Sequence, residues 1–125
     1  MLEENKIVDQ AQQVMGNLSQ KGHMVTTSQI RKFLTAVNTV TEKVNAYKLE
    51  KTDDYDTLPV ELQAQIKYLK VKLAYQIGRN RSKWGNPVED FEKEARLMSL
   101  IDGIKSSTKE YEKFAHYIEA LVAFH

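Results

Sequence analysis

The chain reads as an all-α protein, a compact bundle of about five helices. Three observations predict that. Apolar residues recur at spacings of three and four along nearly the whole chain. The only prolines, Pro59 and Pro87, stand where helices would begin. No segment alternates apolar and polar residues as a half-buried strand does. A length of 125 residues suits one domain, residues 1–125, with a single modest core. Hydrophobic and charged shares of 42% and 28% are those of a folded globular chain.

The first helix is expected over about residues 3–18, with Ile7, Val8, Ala11, Val14, Met15 and Leu18 on one stripe. A loop from Ser19 to Val25, containing Gly22, follows. Thr26, Thr27 or Ser28 caps the second helix, whose apolar face is Ile30, Phe33, Leu34, Val37, Val40, Val44 and Tyr47. The connection from Glu50 to Leu58 is polar and acidic. The third helix starts at Pro59 and stops at Gly78, a favourable terminating residue. On a helical wheel Leu62, Ile66, Leu69, Leu73 and Ile77 share one face, and Tyr68, Val71 and Tyr75 share the opposite one. Two apolar faces predict a helix packed between neighbours. Of its polar strips, one carries Gln63, Lys67, Lys70, Ala74 and Gly78, the other Glu61, Gln65, Lys72, Gln76 and Arg79. After a basic loop from Arg79, Asn86 caps the fourth helix, with Pro87 first and Val88, Phe91, Ala95, Met98, Ile101 and Ile104 inward. Ser106 or Ser107 opens the fifth, with Tyr111, Phe114, Ala115, Ile118, Leu121 and Val122 inward. Tyr117, Ala120 and Phe124 add a second apolar row, which makes this helix central or marks an interface with another chain.

Charge is segregated rather than accumulated. The chain has 18 basic and 17 acidic residues, yet Leu62 to Val88 holds no acid while containing Lys67, Lys70, Lys72, Arg79, Arg81 and Lys83. A second acid-free window, Gln10 to Thr41, holds Lys21, Arg31 and Lys32. Local field rather than net charge drives contact with a polyanion. Arg31, Lys32, Thr35, Asn38 and Thr39 together make a basic, otherwise neutral polar surface suited to phosphates and sugar hydroxyls. The bland reading of such lysines is a solvated helix face. Trp84, amid Arg81, Lys83 and Asn86, either stacks on a base or anchors its loop on the core.

Other chemistries find little support. The absence of cysteine suits the cytoplasm and removes thiolate sites. No apolar run is long enough for a bilayer, so no membrane partner is expected. His23, His116 and His125 lie far apart, and Asp53, Asp54 and Asp56 lack the glycine and terminal glutamate of a cation loop. No glycine-rich phosphate loop exists. The expectation is no catalytic residue, no metal and no cofactor.

Three stretches then stand out together: Thr26-Thr27-Ser28-Gln29-Ile30-Arg31-Lys32-Phe33-Leu34; Ile66-Lys67-Tyr68-Leu69-Lys70-Val71-Lys72-Leu73-Ala74-Tyr75-Gln76-Ile77-Gly78-Arg79; and Tyr117-Ile118-Glu119-Ala120-Leu121-Val122-Ala123-Phe124. In order and spacing they resemble the small subunit of the type III-A CRISPR effector, the Csm complex, over about Thr26 to His125, the middle stretch most specifically. The resemblance implies a non-catalytic helical subunit of antiviral defence. Its partners would be guide RNA and target RNA, the repeated backbone subunit and further copies of itself, stacked along the RNA to hold or check its pairing. The family's basic positions fall on Arg31, Lys70 and Arg79; the wheel adds Lys32 and Lys67, and the basic loop adds Arg81 and Lys83. Where relatives carry arginine this chain has His116, and it stops at His125 before an aromatic and glycine-rich tail. The alternative reading is an adaptor whose basic face docks an acidic partner subunit.

Overall fold

The computed structural model describes residues 2–21, 24–50 and 56–125. It contains a 3-10 turn, Glu4–Lys6, and six helices: α1 Ile7–Ser19, α2 Thr27–Glu50, α3 Val60–Arg79, α4 Pro87–Ala95, α5 Leu97–Ile104 and α6 Thr108–Ala123. Helix accounts for 79% of the described residues, and none of them belongs to a strand. Gly22 and His23 of the expected loop, and Asp53 and Asp54, lie outside the described residues.

The last helix is the hub. α6 packs on α1, α2 and α5, and its Tyr111, Phe114, Ile118 and Leu121 are fully buried. Phe33 of α2 meets Phe114 edge to face, with centroids 6.5 Å apart. The Tyr111 hydroxyl sits 2.9 Å from the Val37 carbonyl and 2.7 Å from the Thr41 hydroxyl. The Tyr117 hydroxyl donates to the Ala95 carbonyl at 3.1 Å, at the end of α4. Each buried phenol therefore has a partner, as burial requires. Burial also pushes both up, from the ordinary 10.0 to about 12, against a lowering hydrogen bond from Thr41 for Tyr111. For Tyr117 the burial outweighs the lowering charge of Arg96.

Local chemistry fixes the helix starts. The Thr26 hydroxyl accepts the Gln29 N–H at 3.1 Å, while the Gln29 carbonyl oxygen of the side chain accepts the Thr26 N–H at 2.8 Å. That reciprocal pair is a capping box. Asn86 caps α4 through the Glu89 N–H at 3.1 Å, and Ser107 caps α6 through the Glu110 N–H at 3.1 Å. The loops before α3 and α6 are tied together by Leu58 N–H to Ser106 O at 2.8 Å and Thr108 N–H to Asp56 O at 3.0 Å.

Three details depart from the expected pattern. The helix expected from Pro87 to Ile104 is broken at Arg96, whose φ of 59° and ψ of 40° are left-handed. The Arg96 N–H bonds to the Glu92 carbonyl, and the Glu92 carboxylate takes up the Met98 N–H at 3.3 Å. The break lets Val88 and Phe91 on α4 bury beside α1 while Leu97, Ile101 and Ile104 on α5 bury against α3 and α6. One straight helix cannot present both sets. α3 also runs one residue past Gly78 and ends at Arg79, with Pro59 as its preceding cap residue. Finally, α3 is not sandwiched. Its neighbours α2, α4 and α5 cover Leu62, Ile66, Leu69 and Leu73, whereas Val60, Tyr68, Val71 and Tyr75 stay exposed. No helix among the described residues is long and apolar enough to cross a membrane.

The two phenols generate a prediction. A raised folded-state pKa means that the neutral form stabilises the fold. Its contribution is complete below the unfolded value of 10.0 and is lost as pH rises toward about 12. Melting curves from pH 8 to 12 should show a steep fall in midpoint over the last two pH units. The double variant Tyr111→Phe, Tyr117→Phe should start lower by about 1–3 kcal/mol, having lost two buried hydrogen bonds. Its alkaline fall should be shallower. An equal alkaline slope in both proteins refutes the assignment.

Candidate functional site

The second and third helices run antiparallel, and a few side chains set their register. At one end the Gln29 side chain donates to the Asn80 side-chain oxygen at 2.7 Å, and the Gln76 side chain donates to the Gln29 carbonyl at 2.6 Å. At the other the Lys43 ammonium donates to the Gln65 side chain at 2.9 Å. The end of α3 is finished by amides: Asn80 donates to the Gln76 carbonyl and Asn86 to the Ile77 carbonyl, each at 2.7 Å. These bonds satisfy carbonyls that a helix end otherwise leaves open.

Antiparallel pairing lays the two acid-free windows side by side. Between them runs a groove of about 310 Å³ lined by Lys32, Phe33 and Ala36 of α2 and by Lys72, Tyr75, Gln76, Arg79 and Asn80 along α3 and its end. No carboxylate lines it. The acids of the two helices flanking the windows, Glu42 and Glu61, lie toward the opposite end of the helix pair, and Glu89 of α4 sits by Arg81. Tyr75 is 67% exposed, and the Arg79 guanidinium lies 5.7 Å from the centre of its ring. Among the described residues, Lys32, Lys72 and Arg79 take part in no ion pair. The arrangement is a positively charged trough with an aromatic wall.

The other expected basic residues are spread more widely. Arg31 is exposed on α2 but does not line the groove, and the same holds for Lys67 on α3. Lys70 reaches the other way, to Asp102 of α5 at 2.6 Å. Arg81 lies 3.7 Å from Glu89. Lys83 sits over the Trp84 ring, 5.0 Å from its centre. Trp84 is 69% exposed and anchors nothing. A tight turn holds it there, with reciprocal backbone bonds between Ser82 and Gly85 at 3.1 and 3.2 Å and a positive φ of 118° at Gly85. The hydroxyls of Thr35 and Thr39 bond back to the carbonyls four residues earlier, at 2.9 and 3.1 Å.

Of the groove residues, the sequence reading selected Lys32 and Arg79; Lys72 and Tyr75 are the charged and aromatic ones it passed over. Both were visible on the wheel, Lys72 on the strip with Gln76 and Arg79. Nothing in α3 alone says which strip meets α2.

The row Tyr117, Ala120, Phe124 divides. Tyr117 is buried in the core, Ala120 is half-buried, and Phe124 is 38% exposed. The last two, with Ile7 and Val8, line an apolar groove of about 640 Å³ between α1 and α6, rimmed by Glu4, His116 and Glu119.

A six-helix domain with a central C-terminal helix and an acid-free trough between two antiparallel helices is a small helical scaffold, with its polar chemistry on one surface. A family model described as Csm2 Type III-A matches residues 2–125. The chain belongs to that family, the small subunits of the type III-A Csm complex. A relative from Mycobacterium tuberculosis, "CRISPR system Cms protein Csm2", is 30% identical over 118 residues, covering 94% of this chain and 86% of the relative. Proteins of the same description from Streptococcus thermophilus and Enterococcus italicus are 29% and 30% identical. They are covered over 92% and 81% of their lengths, and this chain over 99% and 95%. The match begins at residue 2, so it includes the first helix, where the sequence motifs carried no resemblance.

The register of the groove rests on Gln29, which caps its own helix and holds α3. Gln29→Ala should cost about 1–2 kcal/mol, combining a lost cap with a lost interhelical bond. Hydrogen exchange should speed up at residues 76–80 more than in α6. Uniform acceleration across all helices, or none at all, is the outcome that rejects this role.

Proposed function

We propose that this chain is a non-catalytic RNA-holding subunit of a type III-A Csm complex. Guide and target RNA would lie against the α2–α3 face, gripped through phosphates and 2′-hydroxyls without reading of bases. The observation that carries the reading is the union of two acid-free windows in one groove with Lys32, Lys72 and Arg79 free of ion pairs among the described residues. Phosphate contacts position a nucleic acid without sequence information, which suits a subunit that must accept any guide. Arg31 and Lys67 add exposed cations beyond the groove and Lys83 adds one past the end of α3, while Lys70 and Arg81 would join them by giving up Asp102 and Glu89. Further copies of the chain, stacked beside the repeated backbone subunit in the cytoplasm, would make the surface continuous along the RNA.

A second reading has its own observation. Val60, Tyr68 and Val71 form an exposed apolar stripe on α3 beside those cations, and such a stripe fits an adaptor that docks an acidic partner subunit.

Salt dependence separates the two. Three groove contacts at roughly −0.7 each give a slope of log K against log salt of about −2 for single-stranded RNA. Lys32→Ala, Lys72→Ala and Arg79→Ala together should remove about that much slope and weaken all RNA sequences alike, both in the assembled complex and in isolated protein at low salt. Lys93→Ala with Lys109→Ala serves as the control. Controls that cost as much as the groove triple, or affinity that follows RNA sequence, argue against the RNA reading. If Val71→Glu abolishes subunit binding while the groove triple leaves RNA affinity intact, the adaptor reading replaces it.

A further inference from the structure

We propose that the α2–α3 groove accommodates one nucleotide turned out of its strand, with Tyr75 as the platform on which its base stacks. The inference rests on the RNA reading above and adds a mode of contact to it.

Three features converge on Tyr75. It is the most exposed of the large aromatic side chains on α3, at 67%, although its helix buries a full face elsewhere. It stands in the groove wall rather than beside it, between Lys72 and Arg79 of its own helix and opposite Lys32 of α2. The Arg79 guanidinium lies 5.7 Å from the ring centre, within the range of a cation–π contact. This sets a cation over one face of the ring, near where the phosphate next to a base stacked on the other face would fall. Tyrosine and arginine side by side are the groups on which splayed bases stack in single-stranded recognition.

Size favours one nucleotide over a helix. A volume of about 310 Å³ is at the lower end of the range of roughly 300–1,000 Å³ over which small-molecule sites are found. A duplex has both faces of every base occupied by its neighbours and offers an aromatic wall only its backbone. A single strand can turn one base onto Tyr75 and run its flanking phosphates past Lys32 and Lys72. The groove supplies no carboxylate, and its amides Gln76 and Asn80 are already bonded into the α2–α3 junction, so stacking rather than hydrogen bonding to the base should dominate.

The test uses the full chain at low salt and three labelled probes of equal length: oligouridine, the same backbone without bases, and an RNA duplex. Unmodified protein should bind oligouridine more tightly than the base-free strand. Tyr75→Ala should weaken oligouridine about tenfold, the magnitude of one lost stacked base. It should leave the base-free strand and the duplex unaffected and the salt slope unchanged. Tyr75→Phe should keep nearly all the affinity, because stacking needs the ring and not the hydroxyl. Circular dichroism checks that each variant is folded. Equal losses for the base-bearing and base-free strands, a Phe variant as weak as the Ala variant, or a duplex weakened by Tyr75→Ala as much as oligouridine each overturn the proposal. If the cation variants still flatten the slope in those cases, only the stacking idea has failed. If no probe binds with a salt slope while an acidic polypeptide binds through Tyr75, the RNA reading fails with it.

Discussion

Gln29 fastens the α2–α3 groove, the basic surface of this chain. Its side chain closes the first turn of α2, and the same amide reaches Asn80, while its backbone carbonyl holds Gln76. Three contacts through one residue therefore lock the start of one helix to the end of the next. The amides of Asn80 and Asn86 complete the end of α3 by taking its last carbonyls. With neutral amides in this role, the helix pair is held without any carboxylate. An acid at the junction would have bound one of the groove cations and cancelled the field at the place where the groove is richest in charge. The rigid register and the acid-free surface are thus two results of one choice of side chain.

The core carries the opposite burden. α6 brings two tyrosines into the interior, and each must hand its hydroxyl to a carbonyl of another helix, Val37 on α2 and Ala95 at the end of α4. These bonds are directional where apolar packing is not, so they set the rotation of α6 relative to its neighbours. The left-handed Arg96 directly follows Ala95, which places the α4–α5 break next to the Tyr117 bond. A non-glycine residue in that conformation costs about 1 kcal/mol or more. The burial of Val88 and Phe91 on one side and Leu97, Ile101 and Ile104 on the other exceeds that cost several times over.

Fold class and most helix boundaries were legible in the sequence because their causes are local. The Thr26–Gln29 box, Asn86 before Pro87 and Ser107 all announce helix starts within four residues. The break at Arg96 was not legible, since the apolar spacing from Val88 to Ile104 is continuous and the cause lies in what the two halves pack against. The second apolar face of α3 misled for the same reason. A wheel shows that Tyr68, Val71 and Tyr75 are apolar and aligned, but not that α2, α4 and α5 all gather on the other side. The charge windows predicted a basic surface, yet the selection of Lys67 and Lys70 over Lys72 turned on which strip faces α2. That depends on the handedness of three-helix packing, which no spacing encodes.

The distribution of ion pairs gives the basic surface a graded character. Lys70 is held by Asp102, but the two side chains are 37% and 59% exposed. An ion pair so open to water is worth at most about 1 kcal/mol. Arg81 near Glu89 is looser still, at 3.7 Å. An incoming phosphate can replace either acid at small cost, so these cations are lent to the fold rather than fixed in it. Lys32, Lys72 and Arg79 need no exchange at all, because the fold already holds them apart from any acid among the described residues. The basic surface therefore combines cations left unpaired at the groove with displaceable ones around it, so an anionic partner proposed for this face would have to displace an acid only at its margins.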